Sequence, residues 1–130
     1  MAIPAVLLDL ICQAARKQGG GQAALNLASL VRQDGLIIQA MPLNAYNHGF
    51  YNVNPTWFFD FYTVNGFTID YFRAVSDVVH NPRFFDPSPH DRFRDAPGNS
   101  IMITIARRER VMDLKVPVQS KYLANPTLRG

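Results

Sequence analysis

The sequence predicts an α/β fold with three strands in one sheet, flanking helices and a short antiparallel ending. Helical patterns and strand-like segments follow in the order helix, helix, strand, helix, strand, strand, and such alternation favours an α/β sheet. Leu36–Met41 is apolar throughout except for Gln39. Continuous rather than alternating apolarity is typical of a strand that is covered on both faces.

Composition and charge indicate a single folded domain that spans residues 1–130. A hydrophobic content of 48% with 18% charged residues suits a folded protein rather than a disordered chain. The formal net charge is +3, but opposite charges are interspersed, as in Arg107–Arg110. A nucleic-acid interface clusters Lys and Arg on one face. We therefore expect a solvated surface and no nucleic-acid partner.

The N-terminal residues bear on the cellular compartment. Cys12 is the only cysteine and lies in an apolar stretch, which indicates a buried, inert thiol and a reducing compartment. Ala2–Cys12 is preceded by no Lys or Arg and followed by no small-residue cleavage site, unlike a signal peptide. The run is also too short to cross a membrane. We expect a cytoplasmic protein without a membrane partner.

Two helices are predicted before the first strand. Pro4–Lys17 carries apolar residues at helical spacing, and Pro4 suits the first turn. The glycines Gly19–Gly21 end this helix. Gln22–Arg32 has a second apolar face, and the following Asp-Gly pair is a helix stop signal.

The middle of the chain predicts a strand, a loop and a helix. Leu36–Met41 is ended by Pro42, and Leu43–Asn54 forms a polar and aromatic loop. An Asn-Pro pair then supplies the N-cap and first-turn proline of a helix, Pro55–Asn65, and an Asn-Gly pair ends it. Three aromatic residues of this helix are predicted to face the core: Trp57, Phe58 and Phe61.

The C-terminal half predicts two more strands. Phe67–Ala74 alternates in part between apolar and polar residues, and Ser100–Ala106 is β-branched and apolar. Between them, His80–Asn99 reads as a long irregular loop, which in a compact domain suggests a lid or a partner contact. Arg107–Gly130 is predicted to be a tail packed along the surface. Three strands make a small sheet, so we expect self-association or a partner chain that completes it.

The loop after the first strand holds the candidate site, because α/β sheets bind ligands at the carboxyl ends of their strands. His48 is a candidate general base, since its pKa lies near neutrality; alternatively, it holds the turn at Gly49. Asn44 and Asn47 suit binding of a polar ligand but are equally common turn formers. Tyr51 either lines a pocket or covers the core.

A metal site is not predicted. Four residues of the later loop could in principle ligate a metal, but their spacing matches no metal-binding motif. We expect solvated loop residues instead. They are His80, Asp86, His90 and Asp91.

The central stretch resembles the C-terminal half of a class I S-adenosylmethionine-dependent methyltransferase. It is most similar to a bacterial subgroup often associated with polysaccharide or secondary-metabolite clusters. The resemblance covers about Ala23 to Tyr122 and rests on these elements: Gly35, Pro42, Asn44, His48-Gly49-Phe50-Tyr51, Asn54-Pro55, Asn65-Gly66-Phe67 and the Pro117-x-Gln119-x-x-Tyr122 ending.

The resemblance implies a partial Rossmann-like methyltransferase sheet and a transferase activity. The reaction would move a methyl group from S-adenosylmethionine to an oxygen or nitrogen of a sugar-like or small polar acceptor. By the same resemblance, His48 would be catalytic. Asn44 and Asn47 would bind the acceptor or the methionine end of the cofactor, and Tyr51 would line the acceptor pocket.

The sequence departs from that family where the cofactor binds. The family's N-terminal half supplies a glycine-rich turn after the first strand and an acidic residue after the second. Here Gly19–Gly21 is the only glycine cluster, and no β-type run precedes it. Backbone amides could not then approach the cofactor closely. No cofactor-binding residue is assigned.

We accordingly expect a truncated chain that by itself binds S-adenosylmethionine weakly or not at all. It would be an enzyme only if a partner or a missing N-terminal half completed it. The alternative is a non-catalytic subunit or remnant that associates through its sheet edge. A basic nucleic-acid module ranks third.

Overall fold

The computed structural model of the protein describes residues 20–45, 52–90 and 96–120. The predicted helix Pro4–Lys17 and the end of the predicted tail lie outside these residues. No helix in the described part of the chain is long and apolar enough to cross a membrane. The described elements are α1 (Gly20–Ser29), β1 (Leu36–Asn44), α2 (Pro55–Val64), β2 (Phe67–Ser76), β3 (Arg83–Phe85) and β4 (Ser100–Arg108).

The α/β class is confirmed, and the sheet is antiparallel between all neighbouring strands. Its order is β1-β4-β2-β3. Since β1 and β2 are each antiparallel to β4, they run in the same direction with β4 between them. The connection from β1 to β2 contains α2, which gives a split β-α-β arrangement. Neighbouring parallel strands, as in a Rossmann sheet, are not found among the described strands.

The predicted number of strands was wrong, because β3 lies within the predicted loop His80–Asn99. It pairs with the end of β2, where Ala74 is opposite Phe85 and Ser76 is opposite Arg83. A strand of three residues is too short to display a hydrophobic period. Only its tertiary pairing with β2 makes it a strand.

Pro42 does not end β1, which continues to Asn44. β1 is an edge strand, and an edge strand tolerates proline where the missing N–H would face away from its neighbour. The carbonyl of Pro42 does face away from β4, since it accepts a hydrogen bond from the backbone N of Val53 at 2.8 Å. The prediction failed because proline stops a strand only where a ladder hydrogen bond is lost.

The expectation that β1 is covered on both faces was also wrong. Ile37 is 1% exposed, but its neighbours Leu36 and Ile38 are 43% and 41% exposed. The buried residues of both helices form one cluster with the buried residues of β1, β2 and β4. Both helices therefore cover the same face of the sheet, and the described residues leave the other face of β1 open.

α1 begins two residues before its predicted start and ends three residues before its predicted end at Arg32. Beyond Ser29 the chain closes in a tight turn, where the N–H of Val31 bonds to the carbonyl of Ala28 at 3.2 Å. Such i to i−3 bonds commonly finish helices. The last carbonyls of the helix are occupied by a side chain from β4.

That side chain is Arg108, which is only 4% exposed. Its Nη1 donates to the carbonyls of Ala28 and Val31, at 3.0 and 2.6 Å. A cation at a helix C-terminus also interacts favourably with the helix dipole. The guanidinium carbon lies 5.7 Å from the ring centroid of Phe67. Arg108 thus joins α1, the central strand and the start of β2.

The start of α2 is as predicted. The Oδ1 of Asn54 accepts from the N–H of Thr56 at 2.9 Å, and Pro55 occupies the first turn. This is an N-cap geometry that satisfies one of the free amides of the first turn.

The end of α2 also follows the prediction. Its C-cap residue Asn65 binds the backbone of the tail at Lys115. Asn65 is fully buried, and its Nδ2 donates to the carbonyls of Phe61 and Lys115, both at 2.9 Å. Its Oδ1 accepts from the N–H of Lys115 at 2.8 Å. Gly66 has φ +78°, and a Cβ there would lie 2.8 Å from the carbonyl oxygen of Arg110. Only glycine fits this close approach of the tail.

We predict that Arg108→Lys lowers the free energy of unfolding by about 1–3 kcal/mol. A single ammonium group cannot replace both the two Nη1 bonds to buried carbonyls and the Nη2 contact with the carbonyl of Met112 at 3.5 Å. Arg107→Lys is the matched control. Arg107 is the exposed neighbour that pairs with Asp70 at 2.9 Å, and an exposed ion pair contributes about 0–1 kcal/mol. Urea denaturation of both variants measures the difference. Equal losses of unfolding free energy in the two variants would show that the end of α1 does not depend on the guanidinium of Arg108.

Candidate functional site

The carboxyl ends of β1 and β2 lie at the same end of the sheet. Asn44 of β1 and Ser76 of β2 are both opposite Ser100, the first residue of β4. The segment after β1 also leads from this end into α2. The predicted site region therefore has a defined place in the fold.

Of the predicted site residues, the structure describes only Asn44. Asn47, His48 and Tyr51 lie outside the described residues, so their clustering with Asn44 stays a prediction. The Nδ2 of Asn44 donates to the carbonyl of Ala96 at 2.7 Å, across 52 residues of sequence. This contact ties the segment before β4 to the end of β1. Asn44 therefore has a structural contact, but as the last residue of β1 it does not form the turn that the alternative interpretation proposed, and its carboxamide oxygen is not used by this bond.

Both ends of the segment that carries His48 are anchored to the end of β1. The N–H of Val53 bonds to the carbonyl of Pro42, and the Oδ1 of Asn52 accepts from the N–H of Ala45 at 3.2 Å. These two bonds return the chain beside the strand before α2 starts. The predicted catalytic loop is therefore closed at its base.

A buried hydroxyl lies where the three strands meet. Ser100 is fully buried, and its Oγ has no hydrogen-bond partner within the described ranges. Sequence reasoning did not single it out, because a serine at the start of an apolar strand is common. A buried polar atom without a partner is costly, and this hydroxyl does not line the cleft between α2 and the tail.

The second loop packs against the first half of α2. The Oγ1 of Thr56 donates to the carbonyl of Pro89 at 2.7 Å, and the rings of Phe59 and His90 meet edge to face at 4.9 Å between centroids. Asp86 pairs instead with Arg73, at 2.6 Å. His90 and Asp86 thus have structural contacts. The described residues contain no group of three potential metal ligands.

An open cleft of about 250 Å³ lies between α2 and the tail. Its lining residues are Asn54, Trp57, Asp60, Pro117 and Gln119. Sequence reasoning assigned Trp57 to the core and passed over Asp60. Trp57 is half-buried and stacks on Phe61, with ring centroids 5.0 Å apart and planes 12° apart. Phe58 and Phe61 are fully buried, as predicted.

Asp60 is the charged group of this cleft. It is 5% exposed, and its Oδ2 accepts from the backbone N–H of Ser120 at 2.9 Å. The only sequence signal for it is an acidic residue on an otherwise aromatic helix. Three residues of the lining belong to the elements that carry the family resemblance: Asn54, Pro117 and Gln119.

A second polar pair is buried in the core and does not reach the cleft. The hydroxyl of Tyr62 donates to the Oε1 of Gln39 on β1. Burial raises the pKa of Tyr62, so that the hydroxyl stays protonated and can donate. Both side chains are buried, so this pair orients α2 on the sheet and has no access to a ligand.

The free edge of β1 is the other surface of interest. The N–H of Arg108 bonds to the carbonyl of Gly35 at 2.9 Å, and backbone groups in an antiparallel pair point alternately toward and away from the partner. Leu36, Ile38 and Ala40 therefore point their N–H and C=O groups away from β4. All three side chains are uncharged and exposed.

Comparison with known proteins identifies no relative. A scan against protein-family models, a search of curated proteins and a search of solved structures each find no significant match to this chain.

Proposed function

We propose that this chain is a methyltransferase-like domain, corresponding to the acceptor-binding half of such an enzyme. Completed by a partner or by a missing N-terminal half, it would transfer a methyl group to an oxygen or nitrogen of a sugar-like or small polar acceptor. The supporting observation is that β1 and β2 run in the same direction, are joined through α2 and carry the polar loop at the carboxyl end of β1. Ligands of α/β sheets bind at that end.

The sequence of β1 adds support for a partial Rossmann-like sheet. Its apolar run is typical of a strand with neighbours on both sides, yet β1 lies at the edge of the described sheet. A further strand beside Leu36, Ile38 and Ala40 would give β1 the surroundings that its sequence suits. A missing half of the domain would supply that strand.

The proposed roles follow from the position of the loop. Methyl transfer depends mainly on proximity and in-line orientation, with a base where the acceptor is a hydroxyl. His48 would remove that proton, while Asn44, Asn47 and Tyr51 would hold the acceptor. S-adenosylmethionine would supply the methyl group.

The described residues do not fit the cofactor. None of the four described strands is followed by a glycine-rich turn, so backbone amides are not arranged to bind a nucleoside. We therefore derive no step through the cofactor and propose that this chain alone binds it weakly or not at all.

The second candidate function is a non-catalytic subunit that associates through the edge of β1. The observation that favours it is the row of backbone groups at Leu36, Ile38 and Ala40 that no described strand pairs with. Natural edge strands are commonly protected by charges, short length, proline or a bulge. In β1 the proline and the register shift lie at Pro42–Asn44, beyond these three residues. β1 has nine residues and no charged side chain, which suits pairing with another strand.

The catalytic role is tested by His48→Ala in an active form of the protein, either with its partner or as part of a longer chain. We expect turnover to fall about 100-fold or more with the fold intact, because general-base catalysis typically contributes about 10²–10⁴-fold. His80→Ala, at an exposed turn position, is the control and should retain turnover. Release of S-adenosylhomocysteine measures both. Unchanged turnover in the His48 variant would reduce this residue to a turn former.

The cofactor prediction is tested by calorimetric titration of the isolated chain with S-adenosylmethionine. We expect no binding in the micromolar range, since each missing hydrogen bond forfeits about 0.5–1.5 kcal/mol and about 1.4 kcal/mol is a tenfold loss. Micromolar binding to a monomer would mean that this chain has its own cofactor site, and the half-domain proposal would be abandoned.

Self-association through the edge of β1 is tested with the variant Ile38→Lys. We expect the unmodified chain to self-associate and this variant to be monomeric, because a lysine would bring its charge into any strand paired with β1. The variant should keep its stability, since Ile38 is exposed. Val79→Lys, at a position that is 84% exposed and outside the strands, is the control. Sedimentation equilibrium decides the matter: a monomeric wild type, or equal association of the wild type and Ile38→Lys, would contradict the prediction.

A further inference from the structure

We propose that the cleft between α2 and the tail binds the ammonium group of a small organic cation, with Asp60 as its counter-ion. This inference does not depend on methyl transfer. It rests on the burial of one carboxylate, on the aromatic wall beside it and on the size of the cleft.

The carboxylate of Asp60 is largely buried, and its described contacts include no cation. At 5% exposure, its described hydrogen bond is the one from the N–H of Ser120, whereas an ionised carboxylate can accept about four. Among the described residues that line the cleft there is no Lys or Arg. The ion pairs of the described residues are Arg73 with Asp86 and Arg107 with Asp70, and none involves Asp60. A buried charge is costly unless it is paired.

The aromatic wall suits a cation. Trp57 lies one helical turn before Asp60, on the same side of α2. Phe61 stacks on the indole, and Phe58 meets it edge to face with ring centroids 5.6 Å apart. The rest of the Trp57 surface contributes to the lining of the cleft. A cation over a tryptophan face is attracted by the ring quadrupole, and tryptophan is the strongest of the aromatic residues in this respect.

The remaining lining residues define the rest of the ligand. Gln119 is half-buried and has no hydrogen bond within the described part of the chain, so its carbonyl can accept a second N–H of an ammonium group. Pro117 offers apolar contact for a methylene chain. A volume of about 250 Å³ lies below the roughly 300–1,000 Å³ of typical ligand pockets. The ligand is therefore small.

A neutral polyol is the competing ligand, and charge decides against it. Hydroxyl groups could donate to Asp60 and pack on Trp57, but they would leave the buried negative charge without a positive partner. The net charge of the chain is +3, so long-range attraction does not favour a cation. Recognition would come from the local pairing with Asp60.

The test compares n-butylammonium with n-butanol, which have the same chain length and differ in charge. Trp57 is the only tryptophan of the chain, so its fluorescence reports on this cleft alone. We expect saturable binding of n-butylammonium and at least about tenfold weaker binding of n-butanol, the effect of one charged hydrogen bond. Methyl glucoside serves as the neutral polyol probe.

Two variants locate the binding. Asp60→Asn keeps an oxygen for the N–H of Ser120 and removes the charge, and we expect it to weaken n-butylammonium binding about tenfold or more. Gln119→Ala should weaken it less, and the exposed tail variant Asp113→Asn should leave it unchanged. Circular dichroism verifies the folding of each variant.

Three results would overturn the proposal. Absence of saturable n-butylammonium binding would show that the burial of Asp60 does not create a cation site. Equal affinity for n-butylammonium and n-butanol would show that the cleft recognises the apolar chain and not the charge. Preferential binding of methyl glucoside that survives Asp60→Asn would make it a polyol site. The comparison of probes on the unmodified chain remains decisive even if Asp60→Asn does not fold.

Discussion

The hydrogen bonds of the buried Arg108 guanidinium are the constraint on which the rest of the described structure depends. Arg108 ends the central strand β4, and its donors take the last carbonyls of α1. The carbonyl of Ala28 also accepts from the N–H of Val31, whereas Arg108 is the described donor to the carbonyl of Val31 at this buried helix end. The partial negative charges of these carbonyls in turn stabilise the cation, which has no carboxylate partner among the described residues. Without these carbonyls the buried guanidinium would lack its main hydrogen-bond acceptors, and without the guanidinium the carbonyl of Val31 would lose its described donor.

This contact also places β1, because β1 follows α1 after a short turn. The backbone N–H of Arg108 bonds to Gly35, and its carbonyl accepts from Asp34 at 2.7 Å. The register of β1 against β4 starts from these bonds. It sets which side chains of β1 face the helices and which backbone groups face the free edge. The position of the loop after Asn44 follows from the same register.

The tail forms a cleft because it is held at two points of α2. Asn65, at the end of the helix, binds both backbone groups of Lys115, and Asp60 binds the N–H of Ser120. The residues between these points, including Pro117 and Gln119, form the wall opposite Trp57. A solvated tail would leave Asp60 in water, where it would need no partner. The same two anchors therefore create both the cleft and the buried charge in it.

Local signals in the sequence determined the helix α2 and the position of the loop before it. The Asn-Pro start and the Asn-Gly end act through contacts within a few residues, so they can be read without the fold. The cores of β1, β2 and β4 were also predictable from their apolar residues. The sequence predicted where the candidate site lies, at the carboxyl end of β1. Asn44 is the last residue of that strand.

Only the tertiary structure decided the remaining features of the fold and of the cleft, because the contacts that determine them join residues far apart in the sequence. β3 exists through its pairing with β2, and Pro42 is accepted because β1 is an edge strand. The apolar run of β1 could not reveal that one face stays open, since that depends on where the helices pack. In the sequence Asp60 is an ordinary helical carboxylate. In the fold it is buried, and it accepts a hydrogen bond from Ser120 of the tail, 60 residues further along the chain. Burial is a property of the folded chain, and a sequence pattern does not contain it.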